Sequence, residues 1–179
     1  MIVLDTDLDP DPAPPLKAVK RTSVPAESVD QSLPTTRTLA RFLAEAQAVV
    51  RLRGQVTVLL TSDETIRSLN RRFRGKNKAT DVLSFPADAT PFGPEKIVGD
   101  LAIGVPTARR QAAEQGHSLS MEIKILILHG LLHLAGLDHE ADSGEMARRE
   151  RLLRSRLRLP EGLIERAATA RPAAKVRRT

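Results

Sequence analysis

Apolar side chains recur at helical spacing in the first half of the chain. The range 36–53 predicts an amphipathic helix, and Gly54 is placed to end it. The apolar run at 55–60 predicts a strand, which leads into a capping-box pattern at 61–64 that opens a second helix. The positions predicted to face inward are Leu39, Phe42, Leu43, Ala46 and Val50 on the first helix and Ile66, Leu69 and Phe73 on the second.

Two short apolar runs follow, at 81–85 and 97–103, and a loop rich in proline and glycine separates them. We expect these two runs to form a pair of strands. After them, the range 106–115 predicts a helix that begins with Pro106 in its first turn and ends at Gly116.

The range 121–135 is apolar nearly all round, and Ser120 is its predicted N-cap. A helix without a polar face is usually buried in the centre of its domain. By composition the stretch 123–128 also fits a buried strand, because periodicity alone does not separate the two. A last amphipathic helix is predicted over 142–158. Its predicted inward positions are Met146, Leu153 and Leu157.

Strands and helices are mixed over 36–159, and their order predicts one small α+β domain with a short mixed β-sheet covered by helices. The buried central helix belongs to that domain. At the N-terminal end, 1–7 predicts a strand, and 8–34, which holds six of the twelve prolines, predicts a loose insertion. At the other end, 160–179 is a basic C-terminal tail.

Composition excludes several classes of function. The 179 residues include four phenylalanines and no cysteine, tryptophan or tyrosine. Without cysteine there are no disulfides, thiolate metal sites, iron–sulfur clusters or thiol nucleophiles, and a cytoplasmic location fits that absence. So few aromatic rings argue against base stacking on an aromatic platform. The longest apolar stretch, 125–134, falls short of a membrane span, so we expect a soluble protein with no membrane partner.

Positive charge is unevenly placed along the chain, whose formal net charge is +6. The range 148–179 carries eleven arginines and lysines against three glutamates, whereas 1–34 is acidic overall. A further block at 67–78 carries six cations and no acid. Basic blocks attract polyanions such as nucleic acid through phosphate contacts. For the C-terminal tail, simple solvation of a helix is an alternative explanation.

Three of the four histidines fall within eleven residues, at His129, His133 and His139. Residues four apart lie on one face of a helix, so His129 and His133 can direct two ring nitrogens at one metal. Gly136 can turn the chain back so that His139 supplies a third ligand. Three imidazoles leave one coordination position open, which is the catalytic arrangement for zinc. We predict one zinc ion per chain, with another divalent transition metal as the alternative.

The histidine spacing also matches the metzincin peptidases, in which a glutamate follows the first histidine and acts as general base. Gly130 occupies that position here, and it has no acid–base group. Asp138 and Glu140 are the nearby carboxylates, and Asp138 is equally suited to orient a ligand imidazole. The fourth histidine, His117, follows a helix end, and we interpret it as an ordinary surface or capping residue.

Three segments resemble the YbeY family of bacterial metal-dependent endoribonucleases. The first is His-Gly-Leu-Leu-His-Leu-Ala-Gly-Leu-Asp-His at 129–139, with Leu137 where the family usually has tyrosine. The second is Leu-Asn-Arg-Arg-Phe-Arg-Gly-Lys-Asn-Lys-Ala-Thr-Asp-Val-Leu-Ser-Phe-Pro at 69–86, with Ala79 where proline is usual. The third is Gly-Asp-Leu-Ala-Ile at 99–103. They keep the family's order and cover about 36–158, and the resemblance implies that the domain at 36–159 is the catalytic domain.

The resemblance implies that His129, His133 and His139 hold a zinc ion at a cleft and that Arg74 is the catalytic cation across from it. An arginine there can grip a phosphodiester through two parallel hydrogen bonds and stabilise charge that develops on phosphorus. A solvated arginine at a helix end is the alternative for Arg74. The implied activity is single-strand-preferring endoribonuclease action in 16S ribosomal RNA 3′-end maturation and ribosome quality control, with ribosomal RNA and the small subunit as partners.

Two other functions stay open at this point. One is a metal-dependent hydrolase of another substrate, such as a metzincin-like peptidase with a different base. The other is a non-catalytic ribosome-assembly factor in which the metal is structural. For the ribonuclease, either water or the RNA 2′-hydroxyl can be the nucleophile.

Overall fold

Four strands and five helices lie in the described part of the chain, which comprises residues 1–6, 8, 29–87, 96–139 and 141–160 of the computed structural model. The order of elements is the predicted one. Most of the predicted insertion at 8–34 and of the tail at 160–179 lies outside the described residues. The elements are β1 (Ile2–Leu4), α1 (Thr36–Val50), β2 (Gln55–Thr61), α2 (Asp63–Arg74), β3 (Val82–Pro86), β4 (Ile97–Gly104), α3 (Val105–Gln115), α4 (Leu119–Leu134) and α5 (Glu145–Leu157).

The four strands form one mixed sheet in the order β1-β2-β4-β3. β1 pairs with β2 and β2 pairs with β4 in parallel, whereas β3 returns antiparallel to β4. In register, Leu60 lies beside Ile103, and Leu83 lies beside Ala102. The sheet is therefore short and mixed, and the structure is the small α+β domain that the sequence predicts.

Helix α4 runs through the centre of the domain, packed against the sheet, α1, α3 and α5. Because neighbours surround it, apolar side chains are buried on all its sides, which explains why its sequence has no polar face. The stretch 123–128 is thus helix rather than strand. The N-cap is Ser118, whose hydroxyl accepts a hydrogen bond from the Met121 N–H at 3.2 Å. The prediction of Ser120 was wrong, since the helix starts earlier and buries Leu119 in the core.

The other element boundaries differ from the prediction by a few residues. Helix α1 ends at Val50 and is capped by Arg51, which adopts a left-handed conformation with φ 65°, so the helix stops before Gly54. The N-cap of α2 is Ser62, because Thr61 still belongs to β2 and its buried hydroxyl donates to the carboxylate of Asp5. Helix α5 begins at Glu145 rather than 142. No helix among the described residues is both long enough and apolar enough for a bilayer span.

Phe73 departs from the predicted inward face of α2. Ile66 is buried and Leu69 is partly buried, as expected, but Phe73 is 56% exposed. The buried residue of the last two turns is Asn70, whose side-chain amide donates to the carbonyl of Lys78 at 2.7 Å. Phe73, in the last turn of the helix, packs edge-to-face on Phe85 of β3 and leaves more than half of its surface exposed.

Candidate metal centre

His129 and His133 lie one turn apart on the second half of α4. Their Nε2 atoms are 3.2 Å apart and their ring centroids 4.8 Å apart, so both rings point to one place. The helix brings them together because side chains at i and i+4 share a face. His129 is buried at 6% exposure, whereas His133 is only partly buried.

The chain then turns at the end of α4 and returns His139 to the same place. Gly136 adopts a left-handed conformation with φ 88°, and the Leu137 N–H donates to the carbonyl of Leu132 at 3.1 Å, which closes the turn. The His139 ring centroid lies 5.3 Å from that of His129 and 5.3 Å from that of His133. One nitrogen from each ring lies within 4.8 Å of the others, so the structure brings the predicted trio together.

This donor set suits a transition-metal ion. Imidazole binds zinc and similar metals through a neutral ring nitrogen. Burial, together with the neighbouring charges of His129 and His139, lowers the pKa of His133 to about 4, against the opposing charge of Asp138. At neutral pH His133 is therefore uncharged and in the form that binds metal. The three histidines form a group able to hold a metal ion.

A buried carboxylate that the sequence analysis missed supports His129 from behind. Oε2 of Glu150, on α5, lies 3.3 Å from Nδ1 of His129, and Oε1 accepts from Arg154 at 3.0 Å. Burial raises the pKa of Glu150, but hydrogen bonds and charge from His129 and Arg154 outweigh this and hold it below its usual range. An ionised Glu150 accepts a hydrogen bond from the Nδ1–H of His129, which leaves Nε2 of His129 free for a metal. Glu150 follows Met146 by four residues and therefore lies on the same buried face of α5. This spacing could have identified it as a buried carboxylate.

Gly130 faces the sheet instead of the cleft. A Cβ built there would lie 2.7 Å from Cδ2 of Leu101 and 3.3 Å from Oγ of Ser84. Helix α4 therefore approaches β4 closely at this position, and a larger side chain there would force Leu101 to shift. A glutamate in the place of the metzincin general base would meet this packing, which argues against that kind of peptidase.

The histidine group opens on a cavity of about 1380 Å³ between α2, β3 and the end of α3. Arg74, at the C-terminal end of α2, lines this cavity and is exposed. Lys76 and Lys78, which follow it, line the cavity too. The structure thus places the predicted cation and the three histidines around one space. Asp138 also lines it, whereas Glu140 lies outside the described residues.

The sequence predicted a surface or capping residue at His117, and its backbone N–H does cap α3 by donating to the carbonyl of Ala112, but its side chain is mostly buried. Only 16% of its side chain is exposed, and its Nε2 lies 3.1 Å from Oε2 of Glu122, which is fully buried in the first turn of α4. It does not line the cavity. The pair is a structural link between the end of α3 and α4, and it lies apart from the metal-binding group.

Comparison with known proteins identifies the family. A family model described as Endoribonuclease YbeY matches residues 21–158. The chain is 53% identical over 139 residues to Endoribonuclease YbeY of Koribacter versatilis, covering 78% of this chain and 87% of the relative. It is 48% identical over 111 residues to Endoribonuclease YbeY of Helicobacter pylori, covering 62% of this chain and 77% of the relative. A solved Thermotoga maritima protein is similar with a TM-score of 0.49 and 23% identity, covering 83% of this chain and 98% of that one.

The family model matches over the region that carries β2 to β4, the cavity and α4. The resemblance of the three segments at 69–86, 99–103 and 129–139 agrees with these matches. This chain belongs to the YbeY endoribonuclease family.

Proposed function

We propose that this chain is a zinc-dependent endoribonuclease that prefers single-stranded RNA. It acts in the cytoplasm on ribosomal RNA, in maturation of the 16S 3′ end and in quality control of the small ribosomal subunit. The observation that carries the proposal is the placement of three histidines and a row of cations around one cavity, in a chain whose family is named for RNA cleavage.

His129, His133 and His139 would hold the metal, and the residues around them prepare the group for it. Glu150 fixes the proton of His129 on Nδ1, and burial keeps His133 neutral. When bound, zinc supplies a Lewis-acid charge at the edge of the cavity, where it can polarise a phosphoryl oxygen or acidify a water. His129 is buried, His133 is partly buried and His139 is exposed, so the histidine group is open on the side of the cavity.

Arg74, Lys76 and Lys78 supply the binding charge on the cavity wall. Each phosphate that they neutralise releases counterions, which favours RNA without reading its sequence. Arg74 adds a planar pair of donors that matches two oxygens of one phosphodiester. As negative charge grows on those oxygens during cleavage, the same hydrogen bonds strengthen, and this stabilises the transition state. Specificity for a site would then come from the ribosomal context.

A cleavage assay tests the proposal on labelled single-stranded ribosomal RNA fragments. We expect His133→Ala to lose zinc and activity while staying folded, and Arg74→Ala to keep zinc and lose at least tenfold in rate. Arg67→Ala is the matched control, because Arg67 is exposed on the same helix and does not line the cavity. Metal content and circular dichroism are measured on the same samples.

Three results would reject or replace the proposal. Equal cleavage by all four proteins would show that the activity belongs to a contaminant. Unfolding of His133→Ala would favour a structural metal in an assembly factor. Zinc-dependent degradation of casein, lost in His133→Ala, would favour a hydrolase of another substrate.

The product ends identify the nucleophile, since a 2′,3′-cyclic phosphate requires the sugar hydroxyl and a 5′-phosphate requires water.

A further inference from the structure

We propose that Phe73, supported by Phe85, stacks on an unpaired base of the RNA beside the phosphate held by Arg74. This inference rests on the proposed ribonuclease function and adds the residue that favours single strands. It reverses the expectation that a chain with so few aromatic residues holds RNA without stacking.

Phe73 is an exposed aromatic ring at the candidate site. It lines the same cavity as the three histidines and immediately precedes Arg74 on the last turn of α2. More than half of its surface is exposed, at 56%. Burying a phenylalanine stabilises a fold, so exposure of this ring beside a cavity suits contact with a ligand.

The ring is held in place by a second aromatic residue. The centroids of Phe73 and Phe85 are 5.1 Å apart at an interplanar angle of 70°, an edge-to-face contact. Phe85 also lines the cavity, and it packs on the buried cluster of Ile66, Leu83 and Ala102. Because β3 anchors Phe85, the ring of Phe73 has a fixed support and loses less freedom when it binds.

Charge around this ring identifies the occupant as nucleic acid. The guanidinium carbon of Arg72 lies 5.2 Å from the Phe73 centroid, and Arg74, Lys76 and Lys78 line the cavity beyond it. An aromatic ring next to a row of cations matches a chain that alternates flat bases with phosphates. Bases within a duplex are already stacked on each other, so an unpaired base is the one that can stack on Phe73.

Binding measurements test the inference with the full chain and short labelled single-stranded RNA, in the presence of a chelator that prevents turnover. Alanine in place of a stacking aromatic weakens binding roughly tenfold, whereas tyrosine keeps the stack. We therefore expect Phe73→Ala to raise the Kd about tenfold and Phe73→Tyr to change it less than about twofold. Leu152→Ala is the control, because Leu152 is similarly exposed, at 47%, and does not line the cavity.

A set of RNAs with one abasic nucleotide, placed at each position in turn, separates stacking from a structural effect. At one position, loss of the base should weaken wild-type binding about as much as Phe73→Ala does, and should cost Phe73→Ala nothing more. The slope of log Kd against log salt should be unchanged in Phe73→Ala, since no phosphate contact is lost.

Two results would overturn the inference while leaving the proposed function intact. One is wild-type affinity in Phe73→Ala, and the other is an equal loss with every abasic RNA. Failure of the wild-type chain to bind or cleave any RNA would instead reject the proposed function, and the stacking role with it.

Discussion

Nδ1 of His129 lies 3.3 Å from Oε2 of Glu150, a carboxylate that is only 1% exposed on the helix behind it. The contact joins α4 to α5 and connects a candidate metal ligand to a buried ion pair, because the other oxygen of Glu150 accepts from Arg154. Through this chain of contacts, the packing of α5 determines which nitrogen of His129 faces the cavity.

Replacing Glu150 should therefore affect both metal binding and stability. We expect Glu150→Gln to weaken zinc binding by about 10–100-fold, because the amide no longer holds the Nδ1 proton as firmly. Loss of the charge beside buried Arg154 should also lower the free energy of unfolding, by about 3–5 kcal/mol. Competition with a zinc chelator and urea unfolding measure the two effects. Glu145→Gln, exposed on the same helix, should change neither.

Zinc should stabilise the folded chain through the three histidines. A ligand that binds only the native state at 100 times its Kd adds about 2.7 kcal/mol, so the Tm of the wild type should rise with zinc and fall with chelator. In His133→Ala this zinc-dependent rise should vanish. His117→Gln should keep it, because His117 pairs with Glu122 away from the cavity. A rise that persists in His133→Ala would contradict the assignment of the ligands.

Gly130→Ala should destabilise the protein, although the same change inside most helices stabilises it by about 0.5–1 kcal/mol. The added Cβ would lie 2.7 Å from Leu101, which is itself buried and closely packed. Overpacking of this kind costs about 1–3 kcal/mol, so the net effect should be unfavourable. Thermal unfolding measures it, and a higher Tm would show that α4 can move away from β4.

The stability that Asp142 adds at the N-terminal end of α5 should depend on pH. Hydrogen bonds from the backbone N–H groups of Met146, Gly144 and Glu145 lower the pKa of Asp142, against the opposing effect of burial. Because the folded pKa lies below the ordinary value of 3.8, the stabilisation is complete above that pH and is lost as pH falls through the folded pKa. Asp142→Ala should lower the Tm at pH 7, and this difference should shrink at pH 3. A constant difference would contradict the role of the ionised carboxylate.

Arg74→Ala should reduce the salt dependence of RNA binding. For single strands, the slope of log K against log salt changes by about 0.7 for each phosphate contact. We expect that decrease in Arg74→Ala and none in Arg67→Ala, measured by fluorescence anisotropy between low and moderate salt. An unchanged slope in Arg74→Ala would place this arginine away from the phosphates.

Local patterns predicted most of the fold. The periodicity of apolar residues predicted the order of the strands and helices. The spacing of the histidines, with three residues between the first two and five between the second two, predicted the metal-binding group. Both signals depend only on residues that are close together in the sequence. The contact of Glu150 with His129 was not predicted, because the two residues are 21 positions apart and Glu150 is one of many charged residues on α5. Phe73 has the spacing of an inward residue, but the burial of a residue near the end of a helix depends on tertiary packing, which local spacing does not give. The N-caps of α2 and α4 lie one or two residues from their predicted positions, because neighbouring serines and threonines can cap a helix equally well.

Helix α5 follows all three histidines in the chain, so the candidate metal ligands and the carboxylate that orients one of them lie on different elements. A polypeptide that ends before Glu145 would still contain every histidine of the trio, yet it would lack the carboxylate that selects the tautomer of His129. A chain truncated there would also lack Met146 and Leu153, which are buried in the core, so the histidine group depends on α5 for its packing as well as for Glu150.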